Sequence, residues 1–171
     1  VHPDVLAKLS TPMIGHRTRE ASDLQRSITE KMRKLLFTQN KIILSTSSGT
    51  GLMEGAIRST TLKKAIVFSV GAFGKRWWEL AKLNGVDADL HEETSGFATM
   101  PETVNRYLST GKYDTMAFTH NETSTGIMNP AEAISKVLEK YPEVVSMMDA
   151  VSSVAGAKLE THEGFGTGTP L

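Results

Sequence analysis

The 171-residue chain contains no cysteine. That removes two classes at once: a small domain held together by disulfides, and a metal site built on thiolates. An excess of charge is missing too, since nineteen Lys and Arg are matched by nineteen Asp and Glu. A generic nucleic-acid or anionic-membrane surface needs a basic surplus, so neither partner is expected. No hydrophobic run is long. The most apolar stretch, residues 65–73, falls far short of the ~20 residues that a membrane helix requires. The opening Val1-His2-Pro3-Asp4 lacks the charged-then-apolar layout of a signal peptide, and the cytoplasm is the expected compartment. Repeats, low-complexity tracts and an evident inter-domain linker are likewise lacking. What remains, 39% hydrophobic and 22% charged, fits a globular domain. A domain of this size buries roughly 70% of its unfolded surface, enough for a substantial core.

The spacing of apolar residues divides the chain into elements. Residues 4–9 predict a short helix, and residues 10–18 a loop containing Gly15-His16-Arg17. Ala21, Leu24, Ile28, Met32 and Leu35 recur at steps of three and four, which predicts an amphipathic helix from Arg19 to about residue 37. The division expected is an N-terminal segment over 1–18 and a main domain over 19–171. Short apolar runs predict strands at 42–45, 65–70, 86–91, 114–118 and 143–148, with a further strand at 157–160. Helices are expected at 51–59, 76–83, from Pro101 onward, and at 130–140. The run at 65–70 is continuously apolar, as a strand covered on both faces should be. Strand and helix alternate throughout, which argues for an α/β fold with a mostly parallel sheet and helices on both sides.

Three polar turns follow strands, where an open α/β sheet holds its ligand. The first, Ser47-Ser48-Gly49-Thr50-Gly51, leads into a helix. Unpaired N–H groups and a partial positive charge at a helix start suit a phosphate, glycine lets backbone approach it, and Ser48 and Thr50 can donate hydroxyl hydrogen bonds. The same residues also make an ordinary helix cap. This turn is neither a Walker loop, since no Gly-Lys-Ser/Thr follows, nor the dinucleotide fingerprint, since Glu54 stands where a third glycine belongs. The second turn is the hydroxyl-rich run Thr119-His120-Asn121-Glu122-Thr123-Ser124-Thr125-Gly126. His120 could act as a base, yet no second histidine or carboxylate lies at metal-ligand spacing near it, and no metal is expected. The third turn begins at Asp149, a carboxylate at a strand end that must find a partner: a protonated ring nitrogen, or the cap of the segment that follows. Phe73, just past a strand, could stack on an aromatic ligand or pack in the core. His16-Arg17 suits a carboxylate or phosphate, or is a solvated loop pair.

Taken together these motifs resemble the class V (fold type I) pyridoxal-phosphate aminotransferases, and within them the alanine–glyoxylate, serine–pyruvate and archaeal-type aspartate aminotransferase group. The resemblance runs over about residues 1–162. It is carried by Pro12-Met13-Ile14-Gly15-His16-Arg17, Ser48-Gly49-Thr50-Gly51 with Glu54, Gly71-Ala72-Phe73-Gly74 with Arg76, the run from His120 to Gly126 with Asn129-Pro130, and Asp149-Ala150-Val151-Ser152-Ser153. It implies the three-layer αβα large domain of such enzymes, pyridoxal 5'-phosphate as cofactor, and a homodimer. It also implies roles. Ser48, Gly49 and Thr50 would hold the phosphate, and Phe73 would stack on the pyridine ring with Val151 on its other face. Thr123 would meet the ring's phenolic oxygen, and Asp149 would pair with the pyridine nitrogen. His16 and Arg17 would stand in a loop at the substrate entrance.

The chain departs from the family pattern at its end. The Schiff-base lysine is expected some way past the aspartate, and no lysine here matches it. Lys158 belongs to the preceding strand region, and Thr167-Gly168-Thr169 only faintly resembles the approach to that lysine, with Pro170 where Gln would stand. The small C-terminal domain is absent as well, so the chain reads as an incomplete large domain, by itself inactive. The complete protein is expected to transfer an amino group between a small amino acid and a 2-oxo acid. The rivals are another reaction on the same fold (a lyase or desulfurase), a non-catalytic cofactor-binding fragment, and a nucleotide-binding module using the 47–51 turn.

Overall fold

Ala65–Ser69 (β1) and Thr115–Thr119 (β3) are buried at every position. A strand with no exposed residue must be covered on both faces. In the computed structural model, which describes residues 1–157, these two strands lie at the centre of a four-stranded sheet. Ala88–Glu92 (β2) and Val145–Asp149 (β6) form its partly exposed edges, in the order β2-β1-β3-β6. All three pairings are parallel, and the register sets Phe68 beside Phe118 and Thr119 beside Asp149. Asn121–Glu122 (β4) and Ile127–Met128 (β5) make a separate antiparallel hairpin, whose turn takes Gly126 to φ +74°, a conformation that favours glycine.

Side chains alternate across the sheet and build two cores. On one face Ala65, Val67 and Ala117 meet Met53 and Ile57 of Gly49–Thr60 (α3) and Trp77, Leu80 and Ala81 of Ala72–Leu83 (α4). On the other, Ile66, Phe68, Met116 and Phe118 meet Val104 and Leu108 of Pro101–Leu108 (α5) and Ile134, Val137 and Leu138 of Ala131–Leu138 (α6). The result is the three-layer αβα arrangement.

At the amino ends of the strands the polar groups close on one another. The Asp114 carboxylate accepts the N–H groups of Leu62, Lys63 and Lys64 at 2.6–3.1 Å. Lys64 Nζ lies 2.8 Å from Asp89, which also accepts the Tyr113 hydroxyl at 2.8 Å. Burial, together with that bond to a carboxylate, pushes the Tyr113 phenol up to about 12.

The chain divides into two compact units, Val1–Ile43 and Leu44 onward. The first holds Pro3–Leu9 (α1) and Arg19–Leu35 (α2), and neither helix has a buried residue. His2 Nδ1 caps α1, and Thr18 Oγ1 caps α2 by accepting the Ala21 N–H at 3.2 Å. The strand expected at 42–45 does not form. Residues 41–45 carry no regular structure, and none of the described strands pairs with them. An apolar run without a ladder partner leaves its backbone groups outside any sheet. α4 begins four residues earlier than expected, so Phe73 sits in its first turn instead of in a preceding loop. The strand expected at 157–160 and the Thr167-Gly168-Thr169 motif lie outside the described residues. Among those described, no helix is long and apolar enough to cross a membrane.

Candidate active site

Among the helices that begin at the carboxyl end of the sheet, α3 and α4 carry no acidic residue of their own in the first turn. α3 follows the hydroxyl-rich turn. Ser48 Oγ accepts the Gly51 N–H at 3.1 Å, and the Ser48 carbonyl accepts that of Leu52 at 3.0 Å. The N–H groups of Gly49 and Thr50 have no partner among the described residues, as the first turn of a helix leaves them. Their partial positive charge and hydrogen-bonding capacity face outward, which suits a phosphate. Thr50 Oγ1 accepts a hydrogen bond from Arg76 Nη1 at 3.3 Å. Its own O–H is thereby left to donate.

α4 starts differently. The Ser124 hydroxyl accepts the Ala72 N–H at 3.0 Å, and the Glu122 carboxylate accepts those of Phe73 (3.0 Å) and Gly74 (2.9 Å). Ser124 also donates to Glu122 through its hydroxyl at 2.7 Å and its N–H at 3.2 Å. The Glu122 side chain is wholly buried. Burial alone would push its carboxyl up, but the bonds from Ser124 and from the N–H groups of Gly74 and Phe73 outweigh that and hold it below the usual glutamate value. Gly71 is required here for space, because a Cβ on it would stand 2.5 Å from Glu122 Cγ and from Ser124 Oγ.

The carboxyl ends of β3 and β6 supply the remaining wall. The Asp149 carbonyl accepts the His120 N–H at 2.8 Å, and Asp149 Oδ1 accepts that of Val151 at 2.9 Å. Asp149 is half-buried, and its Oδ2 has no partner among the described residues. Thr123 and Ser152 share a short hydroxyl–hydroxyl hydrogen bond. His120 is buried, with Nδ1 2.9 Å from the Ser153 hydroxyl, and burial lowers its pKa so that the ring is held neutral. It braces the wall and is not presented to solvent as a base. Asn129 does similar bracing, accepting the Thr99 N–H and donating to the Thr119 carbonyl, each at 2.8 Å.

These contacts trace a closed circuit. Gly49 faces Val151, whose Cγ2 would be 3.7 Å from a Cβ placed there. Ser152 meets Thr123, Glu122 meets Phe73, the Arg76 guanidinium lies 5.3 Å from the Phe73 ring centroid, and Arg76 returns to Thr50. Six of the residues singled out in the sequence, Ser48, Gly49, Thr50, Phe73, Thr123 and Val151, therefore stand on or beside one ring of contacts, with Asp149 bonded into it through Val151. His16 and Arg17 belong to the N-terminal unit, where both are exposed in the turn before α2. The sequence reading left Glu122, Ser124, Ser152 and Arg76 without roles. The available signal was slight: Glu122 is the one acidic residue in an otherwise hydroxyl-rich run.

The circuit fits a flat ligand bearing a phosphate. It offers open N–H donors with no Cβ at Gly49, a carboxylate oxygen awaiting a donor, a half-buried aromatic ring at Phe73, and an apolar Val151 that is 77% exposed.

Comparison with known proteins agrees with that fit. The model of the family described as Aminotransferase class-V matches residues 6–164. An uncharacterised aminotransferase of Methanocaldococcus jannaschii is 35% identical over 161 residues, covering 91% of this chain and 41% of that protein. Serine–glyoxylate aminotransferase of Methylorubrum extorquens is 28% identical over 170 residues, 94% of this chain and 42% of that protein. Among solved structures, alanine–glyoxylate aminotransferase from Nostoc sp. superposes with a TM-score of 0.86 at 25% identity, covering 93% of this chain and 43% of that one. The chain thus spans less than half the length of these relatives.

Proposed function

The chain belongs to the class-V aminotransferase family, and from that premise we propose that the complete protein uses pyridoxal 5'-phosphate to move an amino group between a small amino acid and a 2-oxo acid. The observation that carries the reading is the closed circuit joining the start of α3, the first turn of α4, the 121–128 hairpin and the segment after β6.

Each residue then has a task. The Ser48 hydroxyl and the N–H groups of Gly49 and Thr50 hold the phosphate, with the Arg76 guanidinium behind Thr50 adding positive charge. Phe73 and Val151 confine the ring from its two faces, and Thr123 hydrogen-bonds its phenolic oxygen. Asp149 Oδ2 holds the proton on the ring nitrogen, while the bond from Oδ1 to the Val151 N–H fixes the carboxylate's orientation. When bound, the cofactor supplies an electron-withdrawing ring conjugated to the substrate's amino group. His16 and Arg17 are assigned to recognition of the substrate's anionic group. The protein is read as a homodimer, which the family resemblance supports, and as cytoplasmic, the compartment expected from its sequence.

A donor–acceptor survey on the complete protein tests the reaction. Glyoxylate is the first acceptor to try, because it is named for the serine–glyoxylate and alanine–glyoxylate relatives. Glycine formed one-for-one with the donor's 2-oxo acid is the expected result. Cleavage products of the donor without amino transfer would replace the transferase by a lyase on the same fold.

A further inference from the structure

We propose that Glu122 is a positioning residue that sets the spacing of the ring-binding wall: its buried carboxylate clamps the first turn of α4, which carries Phe73, to the hairpin that carries Thr123. The inference deepens the pyridoxal-phosphate reading and rests on it.

The argument starts from what the carboxylate touches. One oxygen accepts the N–H groups of Phe73 and Gly74; the other accepts the hydroxyl and N–H of Ser124. Ser124 in turn caps Ala72. Phe73 is thus bonded to Glu122 through its own backbone, and Thr123 lies between Glu122 and Ser124 in the chain, so one buried group governs where both stand. The Thr125 hydroxyl adds a bond from the same hairpin to the Val70 carbonyl at 3.2 Å, so the hairpin has a second attachment to the end of β1. The Glu122 bonds therefore tie the turn that carries Phe73 to the hairpin that carries Thr123, in space that Gly71 leaves for this carboxylate and for Ser124.

A second consequence concerns charge. A carboxylate at the start of α4 satisfies its N–H groups and offsets its partial positive charge. Of these two helix starts, α3 keeps its first N–H donors open for a ligand's phosphate and α4 does not. The phosphate anchor and the ring wall are thereby separate: α3 decides whether the ligand stays, and the Glu122 clamp decides how its ring lies.

The test uses the complete protein reconstituted with pyridoxal phosphate, and reads three quantities: the cofactor's dissociation constant, the visible circular dichroism it acquires on binding, and kcat for the best donor. Glu122→Ala is expected to keep cofactor affinity within about fivefold of the unaltered protein, to change the visible dichroism, and to lower kcat at least tenfold. Glu122→Gln can still accept from Phe73 and Gly74 through its oxygen and donate to the Ser124 hydroxyl through its amide, losing the bond from the Ser124 N–H, so it should restore most of the dichroism and bring kcat to within about threefold. Ser124→Ala, which leaves Glu122 in place but removes the Ala72 cap, should shift the dichroism in the same direction by less. If Glu122→Ala does not fold, a folded Ser124→Ala with unaltered dichroism overturns the proposal. Unaltered dichroism and kcat in a folded Glu122→Ala overturn it too, as does a loss of cofactor affinity as large as the loss of kcat, since the clamp would then not be separable from the anchor. In each of those cases the unaltered protein still binds the cofactor and the aminotransferase reading stands. If the unaltered protein acquires no visible dichroism at all, both readings fall together.

Discussion

α3 and α4 start side by side at the same end of the same sheet, and their first turns have opposite fates. At α4, Ser124 and Glu122 satisfy the N–H groups of Ala72, Phe73 and Gly74. At α3 the cap is the helix's own Ser48, which reaches only Gly51 and leaves Gly49 and Thr50 open. Both helices have a glycine at the start, for unlike reasons. At Gly71 there is no room for a Cβ; at Gly49 the nearest atom would be Val151 Cγ2 at an ordinary 3.7 Å. The contrast teaches that a helix N-terminus is an anion site only where the fold has not already supplied the anion. It also separates two kinds of consequence: changes on the open side should be read first in ligand affinity, and changes on the closed side in stability and in how the ring wall is set.

The largest expected effect lies on the open side. Asp149→Ala in the complete protein should lower kcat on the order of a hundredfold or more, the size of loss seen when one preorganised electrostatic partner is removed. Its unfolding midpoint should hardly move, since the fold loses only the bond to the Val151 N–H. Full activity in that variant would remove the pyridinium assignment. The two glycines give the sharpest test of the comparison. Gly71→Ala must displace Glu122 or Ser124, and should cost about 1–3 kcal/mol in denaturant unfolding. Gly49→Ala should leave stability within about 0.5 kcal/mol, as substitutions away from tight packing usually do, while weakening cofactor binding. Equal stability losses at the two positions would erase the distinction.

Ser48→Ala removes a cap and should cost about 1 kcal/mol of stability, with weaker phosphate binding beside it. The smallest effect expected is one of pH. The Glu122 carboxyl is held below its ordinary value of about 4.3. Its contribution is therefore fully present above that value and is lost as the pH falls through the folded pKa. Acid titration of the unfolding midpoint should show a limb in that window that Glu122→Gln lacks; an identical limb in the variant would place the transition on other carboxylates.

Much of this was legible in order but not in depth. The continuous apolar run at 65–70 and the three-and-four spacing of Val104, Tyr107 and Leu108 announce a buried parallel strand and a covering helix, because burial on one or two faces writes its period directly into the chain. The helix over 19–35 was equally plain. The apolar run at 42–45 misled, since apolar content alone cannot say whether a ladder partner lies alongside. The start of α4 was placed late because Gly71 and Gly74 read as turn residues. In the structure one gives way to Glu122, and the other packs its backbone against Ser69, where a Cβ would stand 2.8 Å from the Ser69 Cα.

The site divides along the same line. Local sequence alone determined the alternation of strand and helix, the hydroxyl-and-glycine start of α3, and the aspartate ending β6, because each depends on neighbours in the chain. Only the tertiary structure decided which helix start stays open. Glu122 caps Phe73 from 49 residues away, and it can do so because the parallel register sets the ends of β1 and β3 next to each other. A bond between groups that far apart leaves no period or spacing in the sequence; it exists only once the sheet has brought the two ends together.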